Sequence, residues 1–285
     1  MQPTLDTRPS PIAGQWYPGN PQQLAASVDG YIAAAHLPQL PGEVLGVITP
    51  HAGHRYSGPV AGYAFAAVKG RQFDLVAVLS PSHYPYPHPV LTSAHAAYQT
   101  PLGILPIDRA AVAALDAALQ AETGSGLAAV KRDPEHALEI ELPFLQRALA
   151  GEFTLLPVMV REVRPATVRG LGKALAATLK GKNALLVAST DLSHFYPQAT
   201  AEKLDGEMLR RIEAFDPEAV LRAEDEGAGF ACGRAAVAAV LWACRELGAT
   251  IVKRLHYATS GAITGDLSEV VGYGAAAVLS ASNTE

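Results

Sequence analysis

The stretch VLGVITPHAGHRYSGP, residues 44–59, holds the pattern from which the fold is read. Its first six residues, 44–49, are a continuous apolar run of strand length. Runs of this kind, bounded by turns and without polar alternation, suit strands covered on both faces. His51, Gly53 and His54 follow, and a helix is expected over 58–69, with Tyr56, Ser57 and Gly58 shaping the turn into it. Strand, loop and helix in that order form one βα unit, with His51 at the carboxyl end of the strand.

The unit recurs outward from there. Apolar strands are expected at DLVAVLS (74–80), FTLLPVMV (153–160), ALLVAST (184–190), TIVKRLHYA (250–258) and VVGYGAAAVL (270–279). Helices are expected over 21–35, 108–121, 134–149, 165–180, 199–214, 217–225 and 232–247. Several open on a capping Asn, Ser or Asp followed by Pro. The alternation predicts an α/β fold with a mainly parallel central sheet flanked by helices. Residues 81–107, rich in Pro, His and Tyr, interrupt the rhythm, with short extra strands expected around Val90 and Ile104. With no fixed-period repeat and no linker composition, residues 1–285 read as a single domain.

Charge narrows the function classes. The formal net charge of -5 arises from only 17% charged residues, and no Lys/Arg run is present to follow a phosphate backbone, which argues against nucleic acid. The opening MQPTLDTRPS lacks a secretory pattern, and no apolar run approaches the ~18 residues of a membrane span. A cytoplasmic protein without a membrane partner is expected. Cys232 and Cys244, the two cysteines, share CGRAAVAAVLWACREL. If this is one helix their Cα atoms stand roughly 18 Å apart, beyond disulfide reach. Cys244 reads as a small buried hydrophobe.

Three strands end alike: ITPHAGH places His51, LSPSH places His83, and ASTDLSH places Asp191 and His194. In open parallel sheets the carboxyl ends of the strands line the ligand crevice, so these residues are expected to converge there. A lone histidine at a strand end is most often a hydrogen-bonded loop residue, whereas three at equivalent ends point to chemistry. Asp191 reads as a helix-capping or turn carboxylate, as a catalytic group in the chemistry itself, or as the group that orients an imidazole. Cys232, at a helix start where unpaired N–H groups favour a thiolate, reads as a metal ligand, a nucleophile or a small residue in a tight turn. In DPEHALEIELPFL (133–145), Asp133 is expected to cap a helix that Pro134 enters, with Glu135 in its first turn. His136 and Glu139 would then share a helix face, free to pair, to line a pocket or to form a solvated face, and Glu141 adds a further polar group.

Taken in order, PHAGHRYSGPVAGYAF, LSPSHY, DPEHALEIELPFL, STDLSHF and ACGRAAV closely resemble the Memo family. The likeness runs from GQWYPGNPQQL to VVGYGAAAVL, essentially the full chain. It implies a fold like that of class III extradiol dioxygenases, which use two histidines and a carboxylate to hold non-haem Fe(II) and another histidine as acid/base. On this chain His51 and His83 match the two ligands, His194 the acid/base, and Cys232 falls at the carboxylate's place, as is usual in Memo proteins. His54 stands where the family pattern commonly has an aromatic, so it reads as a packing group or a supporting imidazole near the site. The resemblance implies a mononuclear iron or copper redox enzyme, with zinc also suited to the softer ligation. His194 would move protons, and Asp191 or Glu135 would orient ligands. The crevice would take a small-molecule or peptide ligand. Two other readings remain: an adaptor that holds metal or peptide without turnover, as the signalling associations of eukaryotic Memo proteins suggest, and zinc-assisted hydrolysis with Glu135 as base. Gene neighbourhoods in the family further imply a pathway shared with AMMECR-type and radical S-adenosylmethionine proteins.

Overall fold

A computed structural model describes residues 6–281. The single-domain expectation also covers residues 1–5 and 282–285, which lie outside the described residues. Along the chain, β1 (Thr7–Arg8) and α1 (Pro21–Ala34) precede β2 (Gly42–Thr49), α2 (His54–Ala66) and β3 (Leu75–Pro81). Next come β4 (Val90–Ser93), β5 (Ala97–Thr100), β6 (Gly103–Pro106), α3 (Arg109–Thr123), β7 (Ala128–Val130) and α4 (Leu142–Ala148). The chain continues through β8 (Thr154–Val160), α5 (Pro165–Leu179), β9 (Ala184–Ser189), β10 (His194–Tyr196), α6 (Gln198–Glu213) and α7 (Pro217–Arg222). It closes with α8 (Arg234–Glu246), β11 (Ala249–Thr259), α9 (Gly261–Thr264) and β12 (Val270–Ala281).

The large sheet has the order β10-β12-β2-β9-β3-β8-β4-β7, with β11 paired to β12, and β1, β5 and β6 form a small separate sheet. Its centre, β2, β9, β3 and β8, is parallel. Helices cover both faces, and the strands show it: Leu75, Ala77 and Leu79 of β3 join one apolar cluster while Val76 and Val78 join the other. With side chains alternating across the sheet, a strand buried on both sides reads as an unbroken apolar run. The strands β11 and β12 are antiparallel to each other, and β12 is antiparallel to β2. The short link through α9 is the reason for the first pairing, since parallel neighbours need a crossover of a dozen or more residues. Cys244 is fully buried in α8, as its apolar neighbours require.

Three local expectations are corrected. The first concerns α2, which starts at His54 rather than at 58, so Tyr56, Ser57 and Gly58 lie in the helix and not in a turn. Gly53 is its N-cap, and Pro59 sits inside the helix. Gly58 and Gly62 serve close packing instead: a Cβ on Gly58 would lie 2.5 Å from the Tyr31 ring, and one on Gly62 2.4 Å from the Tyr31 carbonyl oxygen. The second concerns residues 133–136, which are not helical; a 3-10 turn over Glu139–Glu141 leads into α4. Arg8 explains it, because its guanidinium donates to the carbonyl oxygens of Asp133 (3.0 Å) and Glu135 (2.6 Å), which a helix would have used internally. His136 and Glu139 therefore do not pair across a helix face. The third concerns Cys232, which precedes the N-cap Gly233 of α8 and is not itself the helix start.

Candidate metal centre

The parallel register brings Thr49 level with Ser189 and Leu79 level with Ala188, so the loops after β2, β3 and β9 open on one crevice. Asp191 ties two of them together. Its Oδ1 accepts the backbone N–H groups of His51 (2.8 Å) and Ala52 (3.3 Å). Burial raises the Asp191 carboxyl to about 7 against the lowering effect of those two donors.

His51 is buried, with Nδ1 2.8 Å from Ser189 Oγ and Nε2 3.2 Å from Cys232 Sγ. Its pKa is held well below the ordinary value, first by burial and then by the repulsion of His136, His83 and His194. His83 is anchored differently. Glu135 accepts both its backbone N–H and its Nδ1 (2.9 Å), and the same carboxylate takes the N–H groups of His136 and Ala137 at 2.9 Å each. The hydrogen bond to Glu135 raises the His83 pKa over the opposing effect of burial. Burial disfavours the Glu135 carboxylate, but its bonds to His83 and Ala137 outweigh that and leave it below the usual range. A carboxylate so fully engaged is poorly placed to act as the hydrolytic base.

His136 joins this pair. His51, His83 and His136 bring one potential ligand atom each within 4.8 Å of one another. The His136 ring stacks on His83 at 4.8 Å and lies under Trp16 at 4.1 Å. Burial lowers its pKa to about 4 despite the nearby Glu135. Helical spacing predicts His136 in the pocket; what brings it to the imidazole group is the non-helical path of residues 133–136. Trp16 and Phe230 were not singled out, and the glycine- and aromatic-rich GQWYPGN was the signal for the first.

Cys232 reaches the crevice because α8 starts against the end of β9. A Cβ on Gly233 would lie 2.3 Å from the Ser189 carbonyl oxygen, so only glycine permits that approach. Sγ accepts the N–H of Asp191 at 3.3 Å. Burial first, and the Asp191 charge second, push the thiol pKa up. The metal-free thiol is thus not the activated thiolate that a helix start suggested. His194 is half-buried between Phe195 (5.8 Å) and Phe230 (5.5 Å), with Nδ1 buried and unpartnered. Burial lowers its pKa. His54 is not at the centre: it packs between Tyr17 (5.2 Å) and Phe144 (4.8 Å), with Nε2 3.0 Å from the Ile140 carbonyl oxygen. Tyr56 is exposed on α2.

Among the described residues no helix is long and apolar enough to cross a membrane. Residues 8–277 match the family described as Memo-like protein. A MEMO1 family protein of Nitrosopumilus maritimus is 34% identical over 271 residues, covering 93% of this chain and 96% of the relative. One from Methanococcoides burtonii is 34% identical over 267 residues, covering 93% and 97%. The crystal structure of an uncharacterized protein from Escherichia coli K12 superposes with a TM-score of 0.48 at 14% identity, covering 81% of this chain and 99% of that one. By sequence over nearly its whole length, the chain belongs to the Memo-like protein family.

Proposed function

We propose that the crevice holds one metal ion through His51 Nε2, His83 Nε2 and Cys232 Sγ, and that the protein is a mononuclear iron or copper redox enzyme related to the extradiol dioxygenases. The observation that carries this reading is the anchoring of both imidazoles by Nδ1, to Ser189 and to Glu135, which leaves both Nε2 atoms for a ligand. Metal bonds of roughly 2.0–2.3 Å set two donors of a tetrahedral site about 3.5 Å apart. The 3.2 Å between His51 Nε2 and Cys232 Sγ fits that span. When bound, iron or copper would supply one-electron chemistry, whereas zinc would supply only Lewis acidity. Asp191 fixes the backbone of His51. His194, half-buried and with its pKa lowered by burial, takes or returns a substrate proton. Trp16, 4.1 Å from His136, and Phe195, 5.8 Å from His194, are exposed and suit an aromatic small molecule or a peptide.

A second donor set is favoured by the cluster itself: His51, His83 and His136 without the thiolate. Anaerobic loading of wild type, His51→Ala, Cys232→Ser and His136→Ala with Fe(II), copper and Zn(II) separates the two. The expected result is one equivalent in wild type and a loss of more than about 100-fold in affinity for His51→Ala and Cys232→Ser, beyond the change in His136→Ala. The reverse order for Cys232→Ser and His136→Ala assigns the imidazole set. Unchanged affinity in all variants overturns metal binding at this crevice. Binding without oxygen consumption under any reductant and substrate panel leaves the adaptor reading in place of the enzyme.

A further inference from the structure

Behind His51, on the side away from Cys232, Ser189 Oγ has three close polar neighbours. His51 Nδ1 lies at 2.8 Å, the Ala137 carbonyl oxygen at 2.8 Å and Glu141 Oε1 at 2.7 Å. Each is at hydrogen-bond length, so each contact needs a proton between its heavy atoms. The Ser189 hydroxyl brings one proton and two lone pairs. The Ala137 carbonyl can only accept, so the Ser189 proton goes there. The other two contacts then require that His51 Nδ1 and Glu141 Oε1 each bring their own. With an ionised Glu141 taking the Ser189 proton instead, two acceptor oxygens would face each other at 2.8 Å in a buried site.

We propose that Glu141 is a neutral carboxylic acid that donates to Ser189 and thereby fixes His51 as its Nδ1–H tautomer, with Nε2 bare and turned toward Cys232. The surroundings agree. Glu141 is fully buried, and Thr49 donates its hydroxyl to Oε2 at 3.2 Å, leaving Oε1 as the oxygen that carries the proton. Burial holds the carboxyl well above its ordinary range, over the opposing effect of its hydrogen bonds with Ser189 and Thr49. The side-chain hydrogen bonds of Glu141 run to Thr49 and Ser189; it is a positioning residue that acts through Ser189. This rests on the reading of His51 as a ligand only for its consequence, a nitrogen kept free for metal.

The test uses the metal-free full chain at neutral pH. Nitrogen-15 NMR of histidine-labelled wild type, assigned against His51→Ala, is expected to show His51 protonated at Nδ1. Infrared difference spectra of wild type against Glu141→Gln are expected to show the carbonyl band of a protonated acid that the variant lacks. Glutamine can reproduce the pattern, donating from its amide nitrogen to Ser189 and accepting from Thr49, so Glu141→Gln should keep both the tautomer and the metal affinity. Glu141→Met, of similar volume and without a donor, should lose the single tautomer and about tenfold in affinity. An ionised carboxyl in wild type, or an Nε2–H tautomer in either wild type or Glu141→Gln, overturns the proposal. Because both spectra are read without metal, they stand even where His51→Ala binds metal normally, an outcome that would overturn only the ligand reading.

Discussion

The loops at the ends of β2, β3 and β9 and the segment 133–141 contribute to the same crevice by opposite means. In the loops the sheet register does the positioning, with Thr49 level with Ser189. The segment has no regular structure before Glu139, and it is held by side chains from far along the chain. Arg8 binds Asp133 and Glu139, while Ser10 and Tyr17 also donate to Glu139. One region inherits its geometry from backbone pairing; the other depends on a buried charge network that a single substitution can unmake.

The largest expected effect lies in that network. Arg8 and Glu139 are 2% and 0% exposed, so Arg8→Ala would strand buried carboxylates without their cation. Loss of one partner of a buried pair costs about 3–5 kcal/mol. Urea unfolding should show a fall of that size, and amide exchange should rise first at 133–141 while β2 and β9 stay protected. Uniform exchange across both regions would break the contrast between them.

This contrast also explains what could be read in advance. The core strands β2, β3, β8, β9 and β12 are legible as apolar runs, because a strand covered on both faces has to be largely apolar throughout. His51, His83, Asp191 and His194 were placed at a common edge by the same pattern. The path of 133–138 was not legible, since Asp133-Pro134 carries a valid helix-start signal that Arg8, 125 residues away, overrides. Glu141 and Ser189 looked like ordinary polar residues for the same reason: their meaning lies in partners 48 residues apart. Ser57 and Gly58 read as a turn before a helix over 58–69, and only the packing of Gly58 and Gly62 on Tyr31 of α1 shows that both lie inside α2.

His54 joins the two regions, since it opens α2 and meets Ile140 and Phe144. Burial lowers its pKa from 6.5 to about 4. In that window the unfolded chain binds a proton that the folded chain refuses, so stability is complete above pH 6.5 and falls as pH drops toward 4. The loss amounts to about 3 kcal/mol at the low end. His54→Phe, which keeps the packing, should flatten the acid limb of a denaturation series. An unchanged acid limb would mean that another group governs it.

The smallest effect compares the two carboxylates that hold the histidines. Among the described residues the hydrogen bonds to the Asp191 side chain run through Oδ1, from the N–H groups of His51 and Ala52. An asparagine can present the same oxygen to the same donors. Glu135 uses both oxygens, Oε2 for the His83 N–H and Oε1 for His83 Nδ1 and the N–H groups of His136 and Ala137. A glutamine there has to turn its amide N–H toward at least one donor, which releases the His83 ring or lifts the chain at 135–137. Loss of a carboxylate that orients a metal-binding histidine costs about 10–100-fold in affinity. Chelator competition should therefore find that Glu135→Gln weakens metal binding by that factor and Asp191→Asn by only a few-fold. Equal losses would show that the negative charge of each carboxylate matters more than the geometry it imposes, and a larger loss for Asp191→Asn would move the anchoring role from the irregular segment back to the strand ends.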